Sequence, residues 1–472
     1  MQRQLIWFRQ DLRIRDNTAL WYATQARNTI ALIILSPEQW RKHHEAPIKI
    51  DLYLRQIEQL KQDLSSLYIP LVVKTIPLWK DVAPEILKLC LELGIENVHA
   101  NIECGVNELQ RDAQVQNTLN QNHQDLILHH DRTIFPVGSI RNKSNQPYQV
   151  FGAFKKNCYE KLSISVPQPY PMPQAQQPLN LAISNHIPTV QQLGFEIDNA
   201  ELKWSVGEAY PLAILDDFIE NKMRHYQTER DFPHIEATSQ LAAYLNIGII
   251  SIRQCLQELF RAQYGQFHID NIGQQTWLDE LLWREFYQHI LFDFPRVSKN
   301  LPFKINTQKL NWRRAPADLM AWQMGQTGIP IVDAGMRQLL HTGWMHNRVR
   351  MIVAMFLTKN LLIDWRLGEQ WFMQHLIDGD LAANNGGWQW CASTGTDSVP
   401  YFRIFNPVSQ SQKFDSNGDY IRRWVPELAH LDAKMIHEPY AKNPNIKLDY
   451  PKPIVDLKQS RIRAIDAFKQ IV

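Results

Sequence analysis

The chain has 472 residues, 44% hydrophobic and 21% charged, with a net charge of +2. This is an ordinary globular composition with material for two cores, and so small a charge does not by itself mark a nucleic-acid partner. Five scattered cysteines (Cys90, Cys104, Cys158, Cys255 and Cys391), with no Cys-x-x-Cys pair, argue against a disulfide framework or a zinc site. The N-terminus reaches Arg9 after one short apolar run, too brief for a signal peptide, and no stretch approaches the ~18 residues of a membrane helix, so a cytoplasmic protein is expected.

Residues 4–8, 30–35, 70–76, 97–101 and 125–130 read as short buried strands, separated by amphipathic stretches near 17–27, 48–66, 81–93 and 106–120. Such alternation predicts an α/β domain over 1–130, a doubly wound parallel sheet covered on both faces. The residues after the first strand, Arg9-Gln10-Asp11-Leu12-Arg13, lack the glycines of a dinucleotide-binding turn. Residues 131–205 lose the alternation and gather eight prolines, which predicts an extended interdomain connection. From 206 to 472 the period is helical, with helices expected at 208–223, 238–246, 251–264, 274–292, 330–341, 346–363 and 366–376. Eleven of the fifteen tryptophans lie from Trp204 onward, ten of them in this second, all-α domain, which fits either a π-rich ligand or a large aromatic core.

Four clusters in the helical domain carry chemistry. Tyr226-Gln227-Thr228-Glu229-Arg230-Asp231-Phe232-Pro233 precedes Thr238-Ser239 at an expected helix start, either a phosphate seat or a plain cap. On a helix, Trp277, Glu280, Arg284 and Tyr287 line up on one side, beside Trp283. In Gly343-Trp344-Met345-His346-Asn347-Arg348-Val349-Arg350-Met351, residues Asn347, Arg350 and Met351 share a face, and His346 reads as a structural histidine. The densest cluster is Asp378-Gly379-Asp380-Leu381-Ala382-Ala383-Asn384-Asn385-Gly386-Gly387-Trp388-Gln389-Trp390. It reads either as a site in which Asp380 and Asn384 address one planar ligand, or as a helix capped by Asp380 and stopped at the Gly-Gly pair.

Together with Leu5-Ile6-Trp7-Phe8-Arg9-Gln10-Asp11-Leu12-Arg13, Trp283-Arg284-Glu285-Phe286-Tyr287 and Tyr401-Phe402-Arg403-Ile404-Phe405-Asn406-Pro407, these clusters resemble the photolyase/cryptochrome family. The likeness is to the class I cyclobutane pyrimidine dimer photolyases of bacteria and runs along essentially the whole chain.

The resemblance implies light-driven repair of pyrimidine dimers in DNA, by electron transfer from excited reduced FAD to a dimer flipped out of the stack. It implies that Tyr226, Thr238, Ser239, Trp277, Glu280, Arg284, Arg350, Asp378, Asp380 and Asn384 hold the flavin. Asn384 would face its reactive nitrogen, and Arg350, steadied by Asp378, would balance the reduced flavin's charge. Trp388, Trp365 and Trp312 match the family's electron-carrying tryptophan chain. Trp283, Asn347, Arg348, Met351 and Trp390 would meet the dimer, a protonated Glu280 would donate to it, and Arg348, Arg403 and Lys413 would contact phosphates. His43, Asn107, Glu108 and Lys299 match positions that hold a methenyltetrahydrofolate antenna, where some relatives bind a deazaflavin and others nothing. The chain departs from the family after Thr238-Ser239, where Gln240-Leu241-Ala242 replaces the usual Arg-Leu-Ser and removes two phosphate donors. A monomer is expected, with no membrane partner. A cryptochrome-like photoreceptor, a (6-4) photolyase and a non-catalytic DNA-binding flavoprotein are the alternatives. Asn384 and the short C-terminus argue against the first, and His346-Asn347 in place of a His-His pair argues against the second.

Overall fold

The apolar runs become five parallel strands in the computed structural model, which describes residues 3–181, 183–197 and 204–471. They are β1 (Arg3–Phe8), β2 (Thr29–Leu35), β3 (Leu71–Thr75), β4 (Ile95–Asn101) and β5 (Asp125–His129), and they alternate with α1 (Thr18–Thr24), α2 (Pro37–Lys42), α3 (Pro47–Ser66), α4 (Val82–Leu93) and α5 (Val106–Asn120). Then follow α6 (Phe151–Ile164), α7 (Ala209–Asp217), α8 (Tyr226–Glu229), α9 (Ala242–Ile247), α10 (Ile252–Leu259) and α11 (Ile272–Asp293). The chain closes with α12 (Pro316–Gln323), α13 (Pro330–Thr342), α14 (Asn347–Met355), α15 (Trp365–His375), α16 (Leu381–Ala392), α17 (Pro407–Phe414), α18 (Asp419–Trp424), α19 (Pro439–Lys442) and α20 (Leu457–Lys469).

The strand order is β3-β2-β1-β4-β5, so the winding reverses between β1 and β4. Alternate side chains go to opposite faces. Ile6, Phe8, Ala31 and Ile33 meet Leu20, Ile57 and Leu60 from α1 and α3, whereas Leu5, Trp7, Ile30 and Leu32 meet Ile86, Leu89 and Val115 from α4 and α5. In place of a glycine-rich turn, the Arg9 and Arg111 guanidinium groups each lie 4.9 Å from the Trp7 ring centre. Arg9 Nη1 donates to both Asp112 oxygens at 2.7 Å, and Arg111 donates to Glu103 at 2.8 Å. The crevice that usually takes a dinucleotide is thereby filled with ion pairs.

Packing divides the chain into two units, one of residues 1–197, 202–224 and 239–295, the other of 198–201, 225–238 and 296–472. Residues 204–224 and 239–295, helical in sequence character, therefore cluster with the sheet and not with the later helices. Buried ions tie them there. Arg253 of α10 donates to Asp16 Oδ1 at 2.8 Å and Asp131 Oδ1 at 2.7 Å, Arg13 also bonds Asp131, and Glu285 of α11 accepts from the backbone of Ile134 and Phe135.

Within the expected connection 131–205, positions 182 and 198–203 lie outside the described residues, and α6 is a correction. The prolines flank 151–164 and none falls inside it, so an average over the whole stretch hides a helix whose Phe151 and Phe154 pack on α11. The helix expected from 238 begins at Ala242 because Gln240 takes a left-handed φ of 53°.

In the second unit, α14 runs into a buried π turn, Phe356–Asn360. Its Lys359 Nζ donates to Ser393 Oγ at 2.7 Å, and its Asn360 bonds Ser460 Oγ at 3.0 Å and accepts from Arg463 at 2.6 Å, which fastens α20. No helix among the described residues is long and apolar enough to cross a membrane.

Candidate active site

The segment 378–390 opens α16. Asp380 caps α16 by accepting from Ala383 N at 2.9 Å, yet the helix runs through Gly386-Gly387 and stops only at left-handed Ser393. The expected glycine stop is thus corrected: a helical glycine costs only about 1 kcal/mol, and packing carries the helix onward. Asp380, Asn384 and Gly387 share one face, and a Cβ on Gly387 would meet nothing within 4 Å. Asn384 Nδ2 donates to the Glu369 carbonyl at 2.9 Å.

Arg350 lies on α14. Its Nη2 bonds both Asp378 oxygens at 3.0 and 2.8 Å, and its Nε bonds the Met345 carbonyl at 2.7 Å, so the guanidinium is fixed at three points. His346 caps the same helix through Nδ1 on Arg348 N at 3.2 Å, its buried Nε2 has no partner, and burial pushes its pKa down to about 4. It is a neutral imidazole at pH 7. Asn347 is exposed at the helix start. Arg348 bonds Asp231 at 2.7 Å, touches the Met351 sulfur at 3.7 Å and lies 4.6 Å from the Phe414 ring, which Lys413 also approaches at 4.9 Å. Tyr226 is buried under Arg230, Trp390 is half-buried, and Arg403 is exposed.

Trp388 and Trp365 are interior residues of the second unit's core, and Trp312 packs partly exposed at its margin. The rings against Trp388 are Phe372 at 4.9 Å and Trp322 at 6.0 Å, two neighbours that the motifs did not single out. Gly368 of α15 makes room for Trp388: a Cβ there would lie 2.1 Å from Cη2 and 2.7 Å from Leu357 Cδ2. Gly368→Ala is expected to cost about 1–3 kcal/mol, because ring and core atoms cannot yield. Thermal denaturation checks this, and an unchanged melting temperature would show that the two helices can part freely.

In the first unit, α11 presents Glu280, Arg284 and Tyr287 half-buried on one side. Trp277 of the expected stripe is instead a core residue, packed on Phe218 at 5.2 Å. Arg284 donates to the carbonyls of Arg132 at 2.7 Å and Leu245 at 3.4 Å. Trp283 stacks on Phe151 with ring centres 3.7 Å apart. Thr238 and Ser239 are half-buried and lie before the start of α9, which has no side-chain cap, so no hydroxyl sits at a helix N-terminus there.

Three expected antenna residues also fall in this unit. His43 Nε2 meets Asn107 Nδ2 at 3.0 Å, and the His43 ring stands edge-on to Trp79 at 4.8 Å. Burial pushes the nearby Glu108 carboxyl up to about 7. Lys299 is exposed in the second unit. Beside Trp79 is a cavity of about 70 Å³ lined by Trp7, Ser36, Trp40, Tyr53 and Arg111. Size is no guide to the site: a groove of about 840 Å³ bordered by Asn406, Gln412, Tyr440 and Arg461 contains none of the expected residues.

A family profile described as DNA photolyase matches residues 4–174, and one described as the FAD binding domain of DNA photolyase matches residues 277–470. The deoxyribodipyrimidine photo-lyases of Escherichia coli strain K12 and Vibrio cholerae are 41% and 42% identical, each aligned over 99% of this chain and 99% of its own length. The chain belongs to the DNA photolyase family. Among solved photolyase structures, the bacterial class III enzyme of Agrobacterium tumefaciens matches with a TM-score of 0.86 and 33% identity, covering 100% of this chain and 98% of its own. A Synechocystis cryptochrome matches with a TM-score of 0.87 and 27% identity, covering 100% and 99%. The photolyase cofactor is FAD. The second unit's groups suit it: a fixed cation for an anionic ring, a carboxamide for a ring nitrogen, and open space beside Gly387.

Proposed function

We propose that this chain splits cyclobutane pyrimidine dimers in DNA under light. The observation that carries this reading is the three-point fixation of Arg350 beside the Asp380–Asn384–Gly387 face, within the region matched by the FAD-binding profile. FAD, once bound and reduced, supplies the photochemical electron that opens the cyclobutane ring and takes it back.

The protein's part is to place charge and exclude water. Arg350, held by Asp378, puts a positive charge beside the flavin, and Asp380 and Asn384 address its polar edge. Tyr226, Thr238, Ser239, Trp277, Glu280 and Arg284 complete the binding set in this reading, with Trp277 acting as packing and Arg284 through its orientation. Trp283, steadied by stacking on Phe151, stacks on a flipped base in this reading. Trp390 and Met351 offer further apolar walls, while Glu280, Asn347 and Arg348 supply hydrogen bonds to the dimer. Arg348, Arg403 and Lys413 contact phosphates, so binding weakens as salt rises. Trp388, Trp365 and Trp312 relay electrons inward.

His43, Asn107, Glu108 and Lys299 hold the antenna in this reading. The adjoining cavity of about 70 Å³ is small beside the ~300 Å³ or more of typical ligand pockets, which favours methenyltetrahydrofolate at the rim over a buried deazaflavin. The helical FAD- and DNA-binding function is assigned to 206–472, and the protein acts as a cytoplasmic monomer.

The test is to incubate purified protein with thymine-dimer DNA in blue light and in darkness. Dimer loss is expected only in light, and none in either arm would sink the reading. The second reading, a blue-light receptor, is favoured by the likeness to the Synechocystis cryptochrome. It predicts a flavin absorption spectrum without repair.

A further inference from the structure

A lysine with no exposed surface is rare in a core unless a carboxylate pairs with it. Lys359 is such a residue, 0% exposed in the π turn Phe356–Asn360, within the unit that also holds Trp388, Trp365 and Trp312. We propose, on the relay reading above, that the Lys359 side chain is a positioning residue for the tryptophan relay: lodged between Ser393 and the face of Phe468, whose ring also meets Trp312, its charge sets how readily Trp312 gives up an electron.

The geometry is specific. Lys359 Nζ donates to Ser393 Oγ at 2.7 Å and to the Ala392 carbonyl at 3.4 Å, both at the C-terminal end of α16, and lies 3.8 Å from the centre of the Phe468 ring. Phe468, 2% exposed, is brought in by α20, and Trp312 meets it edge-on with ring centres 6.4 Å apart. One apolar ring thus lies between the amine and the outer tryptophan. Among the described residues, the groups that bear on Lys359 offer no negative charge. Cys391 of α16 is a thiol that burial pushes up to about 12, Lys304 is a second cation, and Arg463 of α20 bonds the carbonyl of the adjacent Asn360 at 2.6 Å. Burial pulls the Lys359 amine down to about 7, so its charge is lost near neutrality.

In the relay, one electron leaves Trp388 for the light-excited oxidised flavin, Trp365 refills Trp388, and Trp312 refills Trp365. With no added reductant, Trp312 stays a radical cation until the same electron returns to it. An ammonium at Lys359 repels that radical cation, and a neutral amine does not. At a separation on the order of 10 Å and an effective dielectric constant of about 20, the repulsion shifts the equilibrium for oxidising Trp312 roughly tenfold. Lys359 is therefore a brake on the relay that holds in acid and releases in mild base. The same proton shows in stability. The folded protein gives it up near 7 and the unfolded chain only at the ordinary lysine value, so between the two the unfolded state holds more protons and stability rises with pH.

The test follows tryptophan-radical absorption after a single flash, from about pH 6 to about pH 8, in flavin-loaded wild type, Lys359→Met and Lys359→Gln, with Trp312→Phe as control. In wild type the yield of long-lived radical is expected to rise up to roughly tenfold across this range. In both variants it is expected to be flat at the upper value, although Lys359→Gln can still bond Ser393 and Lys359→Met cannot. Above about pH 7 the wild-type melting temperature should climb relative to Lys359→Met, with or without flavin. A wild-type yield that stays flat, variants that match wild type at about pH 6, or a Lys359→Gln that behaves as wild type while Lys359→Met does not, overturns this inference alone. The first of these needs no variant to fold. A Trp312→Phe protein that shows the wild-type radical overturns the relay reading and this one with it.

Discussion

Arg350→Ala is expected to cost the protein its FAD and with it the light-driven repair. The substitution removes the cation that the site sets against an anionic ring, and it leaves the Asp378 carboxylate, 9% exposed, without the two hydrogen bonds at 3.0 and 2.8 Å that balance it. Stranding one partner of a buried pair costs about 3–5 kcal/mol. Arg350 keeps 23% of its side chain exposed, so the lower end applies, about 3 kcal/mol of stability, seen as a lowered melting temperature. Flavin absorbance after dialysis and dimer loss in blue light measure the two consequences. The double variant Arg350→Ala, Asp378→Ala separates them, because the stranded charge is gone while the missing cation is not. Stability should recover and repair should not, and recovery of repair would show that Arg350 serves only to neutralise Asp378.

Arg253→Ala should be the most damaging single change in the first unit. Asp16 and Asp131, 1% and 4% exposed, are left with Arg13 as their remaining buried guanidinium neighbour, at a cost of about 3–5 kcal/mol seen as a lowered melting temperature. The same network predicts the acid limb. Burial alone would raise the Asp131 carboxyl, but Arg13 and Arg253 overcome it and hold it well below the usual carboxylate range. Its stabilising contribution is therefore present above the ordinary carboxyl value and is lost as pH falls toward the folded one, with a shallower loss in Arg253→Ala. A variant that melts like wild type at neutral pH would show that the network is not a principal tie between α10 and the sheet.

The sheet was legible because a strand buried on both faces is apolar along its length, as residues 5–8 and 30–35 are, while the more polar runs at 97–101 and 125–130 were placed by their alternation with helices. The capped start of α16 was legible because Asp380 and Asn384 sit at helical spacing. What escaped was set by distant neighbours. Nothing local in Trp365–His375 marks Glu369 as the buried acid among its polar residues, and only the approach of α16 at Gly368 does so. Trp322 and Phe372 carry helical periodicity, but which ring they meet depends on how α12, α15 and α16 cross. Thr238 and Ser239 have the composition of a cap and lack its geometry because one residue, Gln240, turns left-handed. The Trp277 stripe is right in spacing, yet Phe218 claims the indole for the core.

The π turn at Phe356–Asn360 also sets the phase between the two ends of one continuous helical run. A π turn holds one residue more than the α-helix it interrupts. Deleting that residue would restore a regular helix, but everything beyond it would rotate by about 100° relative to everything before it. The face carrying Asn347, Arg350 and Met351 would then fall out of phase with Lys359 and Asn360, which anchor the end of α16 and the whole of α20. Removing one residue from this turn would therefore break both anchors at once.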